Sequence, residues 1–170
     1  IEKGKYILAM CRFVPEKNLH HLIEAFSKID AKDCKLVIAG DSDFDDDYSR
    51  KLKKMAADNG VILTGFIKGK KLQSLLSHTR CFALPSSHEG LPIALLEAMS
   101  YNLNVIVSDI PANMEVGLDQ HCYFTCGNID ELAAKLKHCI DNEYSNPRYN
   151  MAKYDWDSIA NETNMVYEAI

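Results

Sequence analysis

The stretch Cys81-Phe82-Ala83-Leu84-Pro85-Ser86-Ser87-His88-Glu89-Gly90-Leu91-Pro92-Ile93-Ala94-Leu95-Leu96-Glu97-Ala98-Met99 decides how the chain is read. An apolar run stops at a proline, a short polar loop follows, and a Gly-x-Pro step opens an apolar helical pattern. Proline suits the first turn of a helix, where the missing N–H costs nothing. The stretch therefore predicts strand, loop and helix start, with Glu89 in the loop and Glu97 inside the helix. A helix start offers free amides, here expected on Gly90, Leu91 and Ile93, and a positive dipole end, which together suit an anion such as phosphate. Glycine at position 90 lets a ligand approach the backbone closely. Two carboxylates beside an anion site suit a ligand carrying both phosphate and hydroxyl groups, as a nucleotide sugar does.

Working outward, strand and helix patterns alternate along the chain. Continuous apolar runs at Tyr6–Met10, Lys35–Gly40, Val61–Leu63, Cys81–Leu84 and Val105–Val107 predict strands covered on both faces, and His121–Phe124 adds a short sixth. Helical spacing follows Asn18, which is expected to cap a helix carrying Leu19, Leu22, Ile23, Ala25, Phe26 and Ile29. Further helices are expected at Tyr48–Asp58, Leu72–Ser77, Ile93–Tyr101, Asp130–Asn142 and Asp155–Ile170. The last carries Trp156, Ile159, Thr163, Val166 and Tyr167 on one side. The polar stretch Asn142–Tyr149 reads as a connection. Repeated βα units imply an α/β fold, a Rossmann-like open parallel sheet with helices on both faces. Ligands of such sheets bind outside the carboxyl ends of the strands. That places Cys11–Lys17, Gly40–Asp47, Thr64–Lys70, Pro85–Pro92 and Ser108–Asn113 around one crevice.

Composition narrows the class. The 170 residues suffice for one domain with a sizeable core, and 47% apolar with 25% charged residues is ordinary for a soluble globular protein. A net charge of −5 argues against a nucleic-acid partner. The acidic run Asp41–Asp47 and the basic run Lys68–Lys71 read as solvated loops. Six cysteines lack any CxxC pair, so buried reduced thiols are expected and a metal site is not. No signal-peptide pattern is evident, and no apolar run approaches about eighteen residues. The opening Ile1-Glu2-Lys3-Gly4-Lys5 runs straight into a strand, as expected of a domain belonging to a longer chain.

Taken in order, Arg12 with Lys17-Asn18, Leu22-Ile23-Glu24-Ala25-Phe26, Leu36 to Asp41, Thr64-Gly65-Phe66, Pro85-Ser86 through Glu97-Ala98-Met99, Val105 to Asp109, Glu115-Val116 and the Trp156 to Tyr167 ending resemble a known family. It is the group-one retaining glycosyltransferases of the glycogen-synthase and sucrose-synthase type. The spacing of Glu89 and Glu97 is the most specific piece. The resemblance covers nearly the whole chain and implies one lobe of a two-lobe GT-B fold. Residues 1–170 would be the carboxy-terminal, nucleotide-sugar (donor) binding domain, and the amino-terminal acceptor lobe would lie outside this chain.

Roles follow from the resemblance position by position. Arg12 and Lys17 would neutralise the donor diphosphate, Glu89 would lie by the donor sugar and reacting centre, and Glu97 would accept hydrogen bonds from the ribose hydroxyls. Gly90, Leu91 and Ile93 would offer amides to the phosphates. Phe66 and Ile67 would lie along the base, although a plain core Phe is an equal reading. Gly40 would border the crevice, and Asp41 beside it reads as structural. Three positions depart from the family pattern: Cys11 stands where glycine usually precedes the arginine, Asn102 and Asn104 replace a later glycine and proline, and Ser42 replaces a glycine. Asn tolerates left-handed backbone, so Asn102 can serve in the glycine's place.

The implied activity is transfer of a sugar, with retention, from a nucleotide-diphosphate sugar to an acceptor glycan or lipid-linked glycan bound by the other lobe. The resemblance implies no cofactor and no obligatory metal, because cations hold the diphosphate. It also implies a cytoplasmic enzyme of polysaccharide biosynthesis, with room for peripheral association of the full-length protein at the inner face of a membrane. The isolated domain would bind donor and transfer little. A nucleotide-sugar epimerase or phosphorylase of similar fold, and a non-catalytic nucleotide-binding module, are the alternatives.

Overall fold

A computed structural model describes residues 1–142 and 147–169. Six parallel strands form one sheet: β1 (Tyr6–Met10), β2 (Lys35–Ala39), β3 (Ile62–Leu63), β4 (Cys81–Leu84), β5 (Val105–Ser108) and β6 (Tyr123–Phe124). Their spatial order is β3-β2-β1-β4-β5-β6, so the chain reverses its direction of travel across the sheet between β1 and β4. That reversal opens the crevice where ligands of such sheets bind.

The apolar runs alternate faces with the period of two that a pleated strand imposes. Ile7 and Ala9, Leu36 and Ile38, Cys81 and Ala83, and Ile106 join one core with α1 (Leu19–Ser27), α2 (Asp47–Asp58) and α6 (Ile129–Asp141). Tyr6 and Leu8, Val37 and Ala39, Phe82 and Leu84, and Val105 and Val107 join the other with α3 (Lys70–His78) and α4 (Ile93–Ser100). Burial on both faces explains why the strands read as unbroken apolar runs.

Several boundaries move for local reasons. Helix α2 begins at Asp47 because Asp46 caps it: its side chain accepts from the Ser49 amide at 2.7 Å while the Ser49 hydroxyl accepts from the Asp46 amide at 3.2 Å. The run Asp45-Asp46-Asp47 is thus a helix start. A single turn of helix, α5 (Pro111–Met114), occupies the end of the expected loop Ser108–Asn113. Asn102 adopts left-handed backbone at φ 54°, as its place after α4 suggests. The final helix, α7 (Trp156–Glu168), buries none of its residues. Its apolar stripe is open, with Trp156 70% and Tyr167 74% exposed. Within the expected connection Asn142–Tyr149, residues 143–146 lie outside the described residues, as does Ile170.

Asn18 departs most from expectation. It precedes α1, but at φ 48° it is left-handed and its side chain makes no capping bond. Instead its buried amide Nδ2 donates to the Pro85 carbonyl at 3.2 Å, across from the β1 loop to the β4 loop. The sequence pattern suits a cap, but the left-handed backbone turns the side chain away from the helix amides.

Gly40 closes the end of β2 against β1. Its φ is 134°, and a Cβ there would stand 2.0 Å from the Cys11 carbonyl oxygen. Its amide donates to the Gly65 carbonyl at 3.0 Å, which brings the loop after β3 into the same seam. Gly40→Ala is therefore expected to lower unfolding free energy by about 3 kcal/mol or more, from backbone strain and the clash together. Urea denaturation of the variant measures it. By the same method, Asn18→Gly should cost about 1–2 kcal/mol for the orphaned Pro85 carbonyl. Asn18→Ala should cost about 1 kcal/mol more, since alanine must also bear the left-handed backbone.

Candidate functional site

The loops at the carboxyl ends of β1 and β4 face each other across the reversal and are joined by a row of polar contacts. Besides the Asn18–Pro85 bond, the Ser87 amide donates to the Glu16 carbonyl at 2.8 Å and the Ser87 hydroxyl to the same oxygen at 3.2 Å. Proline at 15 starts a 3-10 turn, Pro15–Lys17, that points the Glu16 carbonyl and the Lys17 side chain toward β4. Lys17 Nζ then meets Glu89 Oε1 at 2.7 Å, with the side chains only 16% and 10% exposed. The β4 loop is held from behind as well. The Ser108 hydroxyl at the end of β5 donates to the Ser86 carbonyl, and Asn113 Nδ2 donates to the Ser108 carbonyl at 3.0 Å.

Two residues expected to serve different parts of one ligand, Lys17 and Glu89, are therefore ion-paired with each other. Arg12 is placed otherwise. Its Nη1 lies 3.2 Å from Asp43 Oδ2 in a pair whose side chains are 61% and 50% exposed. Such a pair holds its partners weakly. The acidic run meets other cations too: Asp41 receives Lys53 Nζ at 2.7 Å, and Arg50 bridges Asp45 and Asp47 at 2.9 and 2.6 Å. The Lys53 hydrogen bond leads the causes that lower the Asp41 carboxyl below its ordinary range. Asp41 is thus ion-paired within the protein.

At the start of α4 the expectation needs one correction. The Ile93 amide donates to the Leu91 carbonyl at 2.9 Å, a tight turn around Pro92, and is not free for a ligand. The amides of Gly90 and Leu91 have no hydrogen bond of their own among the described residues. A Cβ on Gly90 would meet nothing within 4 Å, so no protein contact there demands glycine. The backbone lies open to an approaching ligand. Leu91 and Ile93 expose their side chains at the rim. Glu97 stands exposed on α4, and its carboxylate has no hydrogen-bond or ion-pair partner among the described residues.

Phe66 is 63% exposed, which removes the core reading. Ile67 is half-buried against the α3–α4 side of the sheet. Cys11 stands in the position where the family pattern has glycine, and burial pushes its thiol up to about 12. Among the described residues no group of three or more His, Cys, Asp or Glu side chains could hold a metal ion. A cavity of about 660 Å³ lies elsewhere, at the amino end of β5 beside Cys122 and His138, and includes none of the expected site residues. The crevice at the carboxyl ends, where open amides and charged side chains converge, is the better candidate.

Sequence reasoning did not find Asn18, Ser87, Asp43 or Lys53 in these roles. Each acts through a contact more than ten residues away in the chain, which no local spacing encodes.

The geometry accords with what the chain resembles. A family model described as glycosyl transferases group 1 matches residues 1–156. An uncharacterized glycosyltransferase of Methanocaldococcus jannaschii is 30% identical over 174 residues, covering 96% of this chain and 45% of that protein. The O-antigen chain mannosyltransferase RfbU of Salmonella typhimurium is 29% identical over 164 residues, covering 93% of this chain and 45% of its own length. The chain thus spans about half the length of the curated relatives it matches. Among solved structures, the catalytic domain of cholesterol-alpha-glucosyltransferase from Helicobacter pylori matches with a TM-score of 0.71 at 25% identity, over 82% of this chain and 88% of that one. The fold is shared also with HepE of Anabaena in complex with UDP, at a TM-score of 0.79 and 21% identity, over 96% of this chain and 49% of that one. On the match to residues 1–156 and the six-stranded parallel sheet that carries it, the chain belongs to the group 1 glycosyl transferases.

Proposed function

We propose that this chain is the donor-binding lobe of a retaining glycosyltransferase, taking a sugar from a nucleotide-diphosphate sugar and passing it to a glycan or lipid-linked glycan. The observation that carries the reading is the grouping at the reversal of the sheet. Lys17 and Glu89 stand in the loops that face each other there, and the open amides of Gly90 and Leu91 lead into α4.

In this reading the diphosphate lies against the start of α4. The amides of Gly90 and Leu91, the positive end of the helix and the ammonium of Lys17 face the charge that grows on the leaving diphosphate. Arg12 swings from Asp43 to add its planar fork, at little cost because that pair is exposed. Glu97, with no partner among the described residues, accepts from the ribose hydroxyls, and Phe66 and Ile67 border the base. Glu89 lies by the sugar ring. Cations and amides supply the positive charge, so binding needs no divalent metal. Enzyme and donor would meet in the cytoplasm, with the acceptor brought by a second lobe or a membrane face.

Calorimetry with ADP, GDP and UDP against their monophosphates tests the placement of the phosphates. The preferred diphosphate should bind about tenfold more tightly than its monophosphate, the worth of one charged hydrogen bond. Chelator should leave that affinity unchanged. Equal affinities, or loss of binding with chelator, would refute it.

Glu97→Gln tests the ribose contact. The variant should bind the same diphosphate about tenfold more weakly. A 2′,3′-dideoxy nucleotide should lose affinity for the parent protein and little more for the variant. Simple addition of the two losses would mean that Glu97 does not touch the ribose.

A further inference from the structure

Lys17 and Glu89 each have one ionic partner among the described residues, and it is the other. Their separation is 2.7 Å, and both side chains are more than four-fifths buried. In this they differ from Arg12 and Asp43, which are at least half exposed. Water screens the outer pair more than the inner one. A diphosphate reaching Lys17 therefore meets an ammonium already held by a carboxylate. It must take the ammonium over, and the carboxylate left behind stands beside a second anion.

We propose that Lys17 is exchanged between Glu89 and the distal phosphate of the donor, so that arrival of the phosphate releases the Glu89 carboxylate to the hydroxyls of the sugar. The inference rests on the donor-binding reading. It makes Glu89 a penalty for a bare nucleoside diphosphate and a contact for the complete nucleotide sugar. Sugar hydroxyls donate to the stranded carboxylate, and a product diphosphate offers it nothing. After transfer, Glu89 recovers Lys17 and helps expel the diphosphate. The rigid links beside the pair support a local exchange. Asn18 to Pro85 and Ser87 to Glu16 hold the two loops at fixed distance, so the ammonium and the carboxylate can trade partners by side-chain rotation alone.

The test is an affinity whose sign is unusual for a site residue. Calorimetry compares the parent chain with Glu89→Gln, using the diphosphate among ADP, GDP and UDP that the parent binds best, and its monophosphate. The variant is expected to bind the diphosphate more tightly, by about threefold or more, because one competing partner of Lys17 is gone. The monophosphate, which lacks the distal group, should change by less than about twofold. Glu89→Ala also removes the carboxylate, carries the same expectation, and stands in if the glutamine variant does not fold. Unchanged or weaker diphosphate binding overturns the exchange, since Glu89 then does not compete for Lys17. An equal gain for the monophosphate also overturns it, because the effect is then one of general charge. Failure of the parent chain to bind any of the three diphosphates is a separate result: it removes the donor-binding reading itself, and the exchange with it.

Discussion

The tie across the sheet reversal governs this molecule. Strands β1 and β4 are neighbours, yet the loops that leave them belong to halves of the sheet that grow in opposite directions. Nothing in the ladder itself fixes the distance between those loops. Polar contacts do so: the Asn18 side chain on the Pro85 carbonyl, the Ser87 amide and hydroxyl on the Glu16 carbonyl, and Lys17 on Glu89. The tie extends along the whole carboxyl edge. Gly40 lies against the Cys11 carbonyl and bonds Gly65, while Ser108 holds Ser86. The loops of five strands thus form one connected rim. A ligand meeting that rim binds to backbone already held in place, which lowers the ordering cost of binding.

Charge is distributed along the rim according to burial. The exposed acidic run is matched by Arg12, Lys53 and Arg50, in pairs that solvent weakens. Among the described residues, only Lys17 and Glu89 are joined in a sheltered place. A sheltered pair is costly to break by removing one partner, and an incoming anion keeps the cation paired. A phosphate can therefore replace a carboxylate on Lys17 where loss of the carboxylate alone would leave a poorly solvated cation. The open carboxylate of Glu97 follows different physics. It lies on the solvent face of α4, needs no partner for stability, and is available to hydroxyl donors without prior displacement.

Much of this was legible in the chain, and what was not turned on distant contacts or on local dihedral angles. The strands could be placed because burial on both faces forces unbroken apolar runs, so Cys81–Leu84 and Tyr6–Met10 read directly. Asn102 could be given left-handed backbone because a residue after a helix, where glycine is customary, leaves few other choices. Asn18 failed for the complementary reason: the same residue type satisfies a cap and a left-handed bend, and only the carbonyl of Pro85, 67 positions away, decides between them. Ile93 failed because the turn around Pro92 brings the Leu91 carbonyl within reach of its amide, a matter of dihedral angles that spacing does not carry. Arg12, Lys17 and Glu89 could be named as charges at strand ends. Which of them pair could not, since pairing depends on how the two loops meet.

The uneven exposure of the site bears on how much of a catalytic centre this chain provides. Lys17 and Glu89 are sheltered by their own loops, whereas Phe66, Leu91, Ile93 and the Arg12 side chain are half exposed or more. Apolar side chains that ring an anion site gain from a surface that covers them, and charge stabilisation of a leaving diphosphate strengthens when water is excluded. On the proposed reading, this lobe supplies the fixed cations, amides and carboxylates, and closure over the rim supplies the low dielectric in which they act. Binding and catalysis are then separable. On that reading, diphosphate affinity would reside in the connected rim of this chain, and the rate of transfer would depend on what covers Leu91, Ile93 and Phe66.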